Sequence, residues 1–225
     1  RPELERSYID MLRRNMVDGV IVNSLNIGAE AYAEMGLSLV GIDCDLGEAS
    51  VQIASDSYGI GELATRRLID DGCSRILCLR NNSRMRMPAN KRTDAYHDVV
   101  EQAGLPALVR EVEFVKSDDE KSAVVAKILD ENPDIDGIFA GDDTMAAICL
   151  NVMKQRGLSA PDDIKVVGAD GARRTMTFMP DLTTVRQDID RIGELAAQSI
   201  IALVNGEKPE SNTKLPVELI EGKTA

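Results

Sequence analysis

Three aspartates and one arginine occupy positions at which side chains can meet a small ligand. Asp43, Asp142 and Asp170 each follow a short apolar run that is typical of a strand, and Arg92 lies in the first turn of a predicted helix. Ligands of open α/β sheets bind outside the carboxyl ends of the strands. Carboxylates accept hydrogen bonds from hydroxyl groups, and a guanidinium group is a rigid multiple donor. This combination indicates a pocket for a polyol.

The aspartates also have structural and catalytic interpretations. Carboxylates are favoured at helix N-termini, and Asp142 and Asp143 both stand at the start of a predicted helix. Paired carboxylates also suit glycoside hydrolysis. However, the sequence has no Gly-rich phosphate loop and no nucleophile elbow, and aromatic residues make up only 3% of it. A binding site is therefore favoured over a catalytic one, and we expect no enzymatic activity.

The elements that must position these residues alternate along the chain. Amphipathic runs that end at glycines predict helices, and short apolar runs between turn residues predict strands. The predicted helices span 3–15, 28–35, 57–71, 90–103, 117–130, 144–156 and 188–205. The predicted strands span 20–22, 39–42, 51–54, 76–79, 109–115, 135–140 and 164–167, with a last extended segment over 212–220. Such alternation predicts an α/β fold of parallel sheets with helices on both faces.

Three short motifs follow one another between residues 139 and 188. They are FAGDDTMAA from Phe139, G-L-S-x-P-x-D-I-x-V-V-G-x-D from Gly157 and P-x-L-T-T-V-x-Q-D from Pro180. In order and spacing they resemble the effector-binding core of LacI/GalR-type transcriptional repressors, which share the fold of type I periplasmic sugar-binding proteins. The third motif is closer to the repressors than to the transport proteins.

This resemblance implies two doubly wound parallel-sheet lobes with several crossovers between them. The first lobe would contain residues 1–54 and 187–215, and the second lobe residues 55–186 and 216–225. The first strand and helix of the family's first lobe, and the helix-turn-helix that precedes them, have no counterpart in the sequence. We therefore expect Arg1 not to be the start of the natural protein.

The resemblance also implies ligand contacts at six positions, which are Asn23, Asp43, Arg86, Arg92, Asp142 and Asp170. Asp142 stands where the family usually has asparagine, and Gly171 replaces a frequent second aspartate. The additional negative charge at position 142 favours a hydroxyl-rich or cationic ligand over a phosphorylated one, unless Arg86 contributes to the site.

Composition narrows the range of functions. The formal net charge is −12, which argues against nucleic-acid binding by this segment because such binding needs clustered Lys and Arg. No apolar stretch approaches the about 20 residues of a membrane span. The four cysteines lack paired spacing, and the single histidine, His97, lies far from them in sequence. We expect buried, reduced thiols in a cytoplasmic protein, with no metal site and no cofactor.

The resemblance of these motifs implies that the chain is the sensing core of a repressor. It would bind a sugar or other small polyol in the cleft between its lobes and couple lobe closure to operator DNA binding by a domain outside this sequence. The resemblance also implies that the complete protein is a homodimer, and helices such as 57–71 carry apolar residues that suit either the core or the dimer interface. The alternative function is that of a periplasmic sugar-binding protein of a transport system.

Overall fold

The computed structural model describes residues 2–12, 14, 17–24, 32, 37–44, 46–47, 50–82, 88–113 and 115–225 of the chain. The chain forms two compact units. Unit 1 consists of Arg1–Asp56, Arg84–Ala89 and Asp188–Pro216, and unit 2 of Ser57–Ser83, Asn90–Gln187 and Val217–Ala225. The helix predicted over 28–35, apart from Tyr32, and the candidate residue Arg86 lie outside the described residues.

From β3 to β9 helices and strands alternate, as the sequence predicted. In chain order the elements are α1 (Pro2–Leu12), β1 (Gly19–Val22), β2 (Ser38–Ile42), β3 (Val51–Ser55), α2 (Ser57–Asp70), β4 (Ile76–Asn82), a 3-10 turn (Pro88–Asn90), α3 (Lys91–Gln102), β5 (Leu108–Glu113), α4 (Asp118–Glu131), β6 (Gly137–Ala140), α5 (Asp143–Gln155), β7 (Lys165–Asp170), α6 (Arg173–Phe178), β8 (Thr183–Gln187), α7 (Ile189–Val204), β9 (Asn212–Leu215) and β10 (Val217–Ile220). None of these helices is long and apolar enough to cross a bilayer.

Unit 1 contains a parallel sheet with the strand order β1-β2-β3-β9. Side chains of a strand point alternately to the two faces of its sheet. In β2, Leu39 packs in one cluster with Ile9 of α1, and the next residue, Val40, packs in another with Ile192 of α7. The sheet therefore has apolar side chains buried on both faces.

Unit 2 contains six strands in the order β10-β8-β7-β6-β4-β5. All neighbouring pairs are parallel except β8 and β10. Leu77 of β4 packs with residues of α4 and α5, whereas the next residue, Cys78, packs with residues of α2 and α3. Helices thus cover both faces, which confirms the predicted doubly wound α/β architecture. The apolar residues of α2, including Ile60 and Leu68, belong to this core.

Several elements differ from the sequence prediction, and β8 and α6 were not among the predicted elements. β4 continues to Asn82 instead of ending at Leu79, because its ladder with β5 runs on to the pair Asn82 and Glu113. The segment predicted as one extended run over 212–220 is divided at Pro216 into β9 and β10, which belong to different sheets. The chain leaves unit 2 after Gln187 and returns to it at Val217, which is the register partner of Gln187, so β10 runs antiparallel to β8.

The cysteines are part of the two cores. Cys44, Cys73, Cys78 and Cys149 are buried and form no disulfide bond with one another, as predicted. Burial raises the pKa of the Cys73 thiol to about 11 and that of Cys78 to about 12. These two thiols are therefore protonated at neutral pH and act as small apolar side chains.

Candidate functional site

Three of the predicted ligand residues meet at the carboxyl edge of the sheet of unit 2. Asp142 follows β6, Asp170 ends the neighbouring β7, and Arg92 lies in the first turn of α3. Nη1 of Arg92 donates to the carbonyl oxygen of Gly141 at 2.6 Å, and its Nη2 donates to Oδ1 of Asp170 at 3.3 Å. The guanidinium group therefore joins the ends of β6 and β7.

The start of α3 is held close to α2. A Cβ atom on Gly61 of α2 would overlap the backbone carbonyl of Arg92. Only glycine leaves room for this contact, since it alone has no side chain. The close packing fixes the helix turn from which Arg92 reaches the strand ends.

Asp142 is the N-cap of α5, so the structural interpretation of this residue is correct. Its Oδ1 accepts a hydrogen bond from the backbone N–H of Met145 at 2.7 Å. Its Oδ2 accepts one from Nδ2 of Asn81 at 2.6 Å. The sequence analysis missed Asn81, because the predicted strand ended at Leu79 and nothing in the local sequence indicates a pairing across 61 positions.

Asp170 lies in an unfavourable backbone conformation. Its φ angle is +119°, and the next residue, Gly171, has a φ angle of +57°. Its Oδ1 accepts hydrogen bonds from Arg92 and, at 2.5 Å, from Nε2 of Gln187. Burial, which is the largest effect, and the nearby carboxylates of Asp142 and Asp143 raise the pKa of Asp170 to about 6, whereas Arg92 acts in the opposite direction. Ionisation of this carboxylate at neutral pH therefore lowers the stability of the folded state.

Asp143 has a different role from its neighbour Asp142. It is only 3% exposed, and its two carboxylate oxygens accept hydrogen bonds from Oγ1 of Thr184 at 2.6 Å and from the backbone N–H of Gly171 at 2.9 Å. Burial raises its pKa, although both hydrogen bonds oppose that change. Asp143 thus ties the turn after Asp170 to β8.

Unit 1 carries two of the predicted ligand residues at the carboxyl ends of adjacent strands. Asn23 follows β1, and its Nδ2 donates to the carbonyl oxygen of Ile42 at 3.0 Å. Asp43 follows β2 with a φ angle of +48°, and its Oδ1 accepts from the backbone N–H of Ser55 at 3.1 Å. These two residues therefore lie together at one edge of their own sheet.

A partly buried carboxylate lies beside them in unit 1. Glu5 of α1 accepts hydrogen bonds from the hydroxyl groups of Ser24 and Tyr32, the latter at 2.5 Å. Burial, followed by the hydrogen bond to Glu5, raises the pKa of Tyr32. The cluster attaches α1 to the residue that follows Asn23.

The side chains at the carboxyl edge of the unit 2 sheet provide both hydrogen-bond acceptors and hydrogen-bond donors. Carboxylates accept, and the guanidinium and amide groups of Arg92, Asn81 and Gln187 donate, which is the combination that sugar hydroxyls require. Across the described segments, no group of three or more His, Cys, Asp or Glu side chains is placed to hold a metal ion. The arrangement is suited to binding.

Comparison with known proteins gives consistent results. The model of the periplasmic binding protein-like domain family matches residues 65–225. The sucrose operon repressor of Pediococcus pentosaceus is 33% identical, with 100% of this chain and 69% of that protein covered. The ribose operon repressor of Halalkalibacterium halodurans is 31% identical over 99% of this chain and 66% of its own length. The complex of the transcriptional regulator CelR with cellobiose is 27% identical and has a TM-score of 0.87, covering 98% of this chain and 69% of that one.

Proposed function

Because this chain belongs to the LacI/GalR family of transcriptional regulators through its periplasmic binding protein-like domain, we propose that it is the effector-sensing core of a repressor that responds to a small sugar. The observation that carries this proposal is the cluster of Arg92, Asp142 and Asp170 at the edge of the unit 2 sheet. Its donors and acceptors fit hydroxyl groups, and the matched relatives include repressors of sucrose and ribose operons and a regulator in complex with cellobiose. Asn23, Asp43 and Arg86 are proposed as further ligand contacts.

A repressor is favoured over a periplasmic transport protein, because the relatives matched over the full length of this chain are operon repressors. The chain spans about two thirds of their length. Operator DNA would be bound by a helix-turn-helix domain outside this sequence, and the protein would act in the cytoplasm. The proposed activity is binding without turnover of the sugar.

The repressor is proposed to act as a homodimer. Leu4, Tyr8 and Met11 lie at successive turns of α1 and are 49%, 60% and 53% exposed, which gives unit 1 an apolar stripe. A second copy of the protein would cover such a stripe. Light scattering of the full-length protein at high concentration should give the mass of a dimer, and a monomer would contradict this part of the proposal.

A thermal-shift screen of the 225-residue chain tests the sugar assignment. The first ligands to examine are sucrose, D-ribose, cellobiose and lactose. A ligand that binds only the folded state raises the free energy of unfolding by about 2.7 kcal/mol at a hundred times its Kd. A rise in melting temperature with nucleobases or amino acids, and with no carbohydrate, would refute the sugar assignment.

Arg92→Ala should abolish the shift that the sugar produces. The side chain of Arg92 is only 13% exposed and joins two strand ends, so its removal takes away the principal donor of the cluster. Arg66→Ala is the matched control, since Arg66 forms an exposed pair with Glu62 on α2. Arg66→Ala should keep the shift, and a sugar-induced shift that survived in Arg92→Ala would contradict the assigned site.

A further inference from the structure

The amide of Asn81 has a defined position at the unit 2 site. Side chains alternate along β4, so Asn81 points to the same face as Leu77 and Leu79, which α5 covers. The extension of β4 beyond Leu79 brings Asn81 to the N-terminus of α5, where Asp142 is the N-cap. Asn81 therefore reaches the site from a third strand.

The orientation of this amide follows from its partner. An ionised carboxylate can only accept hydrogen bonds, so the nitrogen and not the oxygen of Asn81 must face Oδ2 of Asp142. One N–H of the amide group is used in this bond. The second N–H and Oδ1 of Asn81 remain for another partner, and the side chain is only partly buried.

Asp142 alone cannot satisfy a sugar hydroxyl. Its two oxygens already accept hydrogen bonds from Met145 and Asn81, and it has no proton to donate. Each sugar hydroxyl both donates and accepts, so a corner made only of carboxylate oxygens leaves the hydroxyl oxygen without a donor. Asn81 is the neighbouring group that can supply this donor.

We propose that Asn81 is a specificity-determining residue that donates a hydrogen bond to an effector hydroxyl with its second N–H, while Asp142 accepts a hydrogen bond from the same hydroxyl. This inference rests on the proposed sugar-binding function. It assigns the effector a hydroxyl group that bridges the amide of Asn81 and the carboxylate of Asp142. Sugars that differ in configuration at that carbon are distinguished by this pair.

The test exchanges the hydrogen-bond donor and acceptor between positions 81 and 142. Asn81→Asp places two carboxylates against each other and removes the donor. The double variant N81D/D142N restores one amide and one carboxylate, and the amide at position 142 can still cap α5 while its Nδ2 donates to position 81. Isothermal titration calorimetry with D-ribose, its epimers D-arabinose and D-xylose, and sucrose measures affinity, and urea unfolding measures stability.

We expect N81D to raise the Kd of the bound sugars by roughly tenfold or more, which corresponds to about 1.4 kcal/mol. The double variant should regain the wild-type urea midpoint but not the wild-type order of affinities, because donor and acceptor have exchanged places. Recovery of both stability and the original order of affinities would show that the pair only braces the helix, and would overturn the proposal. So would an unchanged Kd in Asn81→Ala, which tests the contact even if the double variant is unstable.

Asn132→Asp is the matched control. Asn132 is an amide of unit 2 that donates from Nδ2 to the carbonyl oxygen of Ile128 at 2.8 Å, at the C-terminal end of α4. This variant should lose stability and keep the wild-type affinities. If it weakens sugar binding as N81D does, general destabilisation is the cause and the inference fails. If no carbohydrate of the thermal-shift screen binds the wild-type chain, the proposed function fails together with the inference. If the wild-type chain binds a sugar and N81D leaves that binding intact, the inference alone is refuted.

Discussion

Asp170→Asn should make the sugar-free protein more stable at neutral pH. The pKa of Asp170 is raised from its ordinary 3.8 to about 6, mainly by burial and further by the carboxylates of Asp142 and Asp143. The ion pair with Arg92 only partly offsets these effects. Asparagine has nearly the same shape, tolerates a positive φ angle and can still accept the hydrogen bond from Gln187. The substitution therefore removes a charge whose net effect on folding is unfavourable.

The magnitude follows from the difference in pKa. A difference from 3.8 to about 6 corresponds to about 3 kcal/mol at a pH above both values. The side chain of Asp170 is 34% exposed, and solvent screening reduces such an interaction. We therefore expect Asp170→Asn to increase the free energy of unfolding by roughly 1 to 2 kcal/mol.

The pH dependence gives the sign of the effect. A raised pKa means that the folded state binds the proton more tightly than the unfolded state, so the wild-type protein loses stability as the pH rises from about 4 to about 6. Asp170→Asn has no carboxyl group at this position, so its stability lacks this pH-dependent loss. The difference between the variant and the wild type should be near zero at about pH 4 and reach its full value above about pH 6.

Urea unfolding without sugar, from about pH 4 to about pH 8, measures this difference. Asp163→Asn is a control of opposite sign, because hydrogen bonds from the backbone N–H and the hydroxyl group of Ser159 lower the pKa of Asp163. That variant should be less stable than the wild type above the pKa of Asp163. A difference for Asp170→Asn that is absent above about pH 6, or that increases towards acid pH, would refute the argument.

Two further substitutions test how the site is supported. Thr184→Val removes the hydroxyl donor to the buried Asp143 and should reduce the free energy of unfolding by about 1 to 3 kcal/mol. Thr184→Ser keeps a hydroxyl group and should retain most of the wild-type stability. Urea unfolding measures both variants, and an unchanged stability in Thr184→Val would contradict the prediction. Gly61→Ala places a methyl group against the carbonyl of Arg92 and should cost about 1 to 3 kcal/mol and weaken sugar binding, as measured by thermal shift. Its control is Gly193→Ala on α7, where a Cβ atom would meet nothing within 4 Å, so stability should not fall.

The fold could be predicted from the sequence because its elements are locally encoded. The helix over 117–130 has a clear start, and the structure has the complete capping box between Ser117 and Glu120. The pairing between strands could not be predicted from the sequence. The extension of β4 to Asn82 depends on its ladder with β5, and the direction of β10 depends on where the chain returns to unit 2.

The position of the candidate site could be predicted from the sequence, but the contacts of its individual side chains could not. Arg92, Asp142 and Asp170 come together because strand ends of one sheet share an edge, which the pattern of strands and helices already implied. The sequence could not distinguish Asp142 from Asp143, since both begin the same helix. The difference arises from tertiary contacts, as Asp142 meets Asn81 and Asp143 meets Thr184.

The energetics of this edge indicate which ligands it accepts. Asp142 and Asp143 lie close enough to Asp170 to raise its pKa. Among the described residues, Arg92 is the one whose guanidinium group forms a hydrogen bond with Asp170. Such perturbed carboxylates are typical of functional sites and are retained at a cost in stability. A neutral hydroxyl group that donates to Asp170 relieves part of this cost, whereas a phosphate group adds to the repulsion. We therefore expect the unphosphorylated forms of a sugar to bind more tightly to this edge than their phosphate esters.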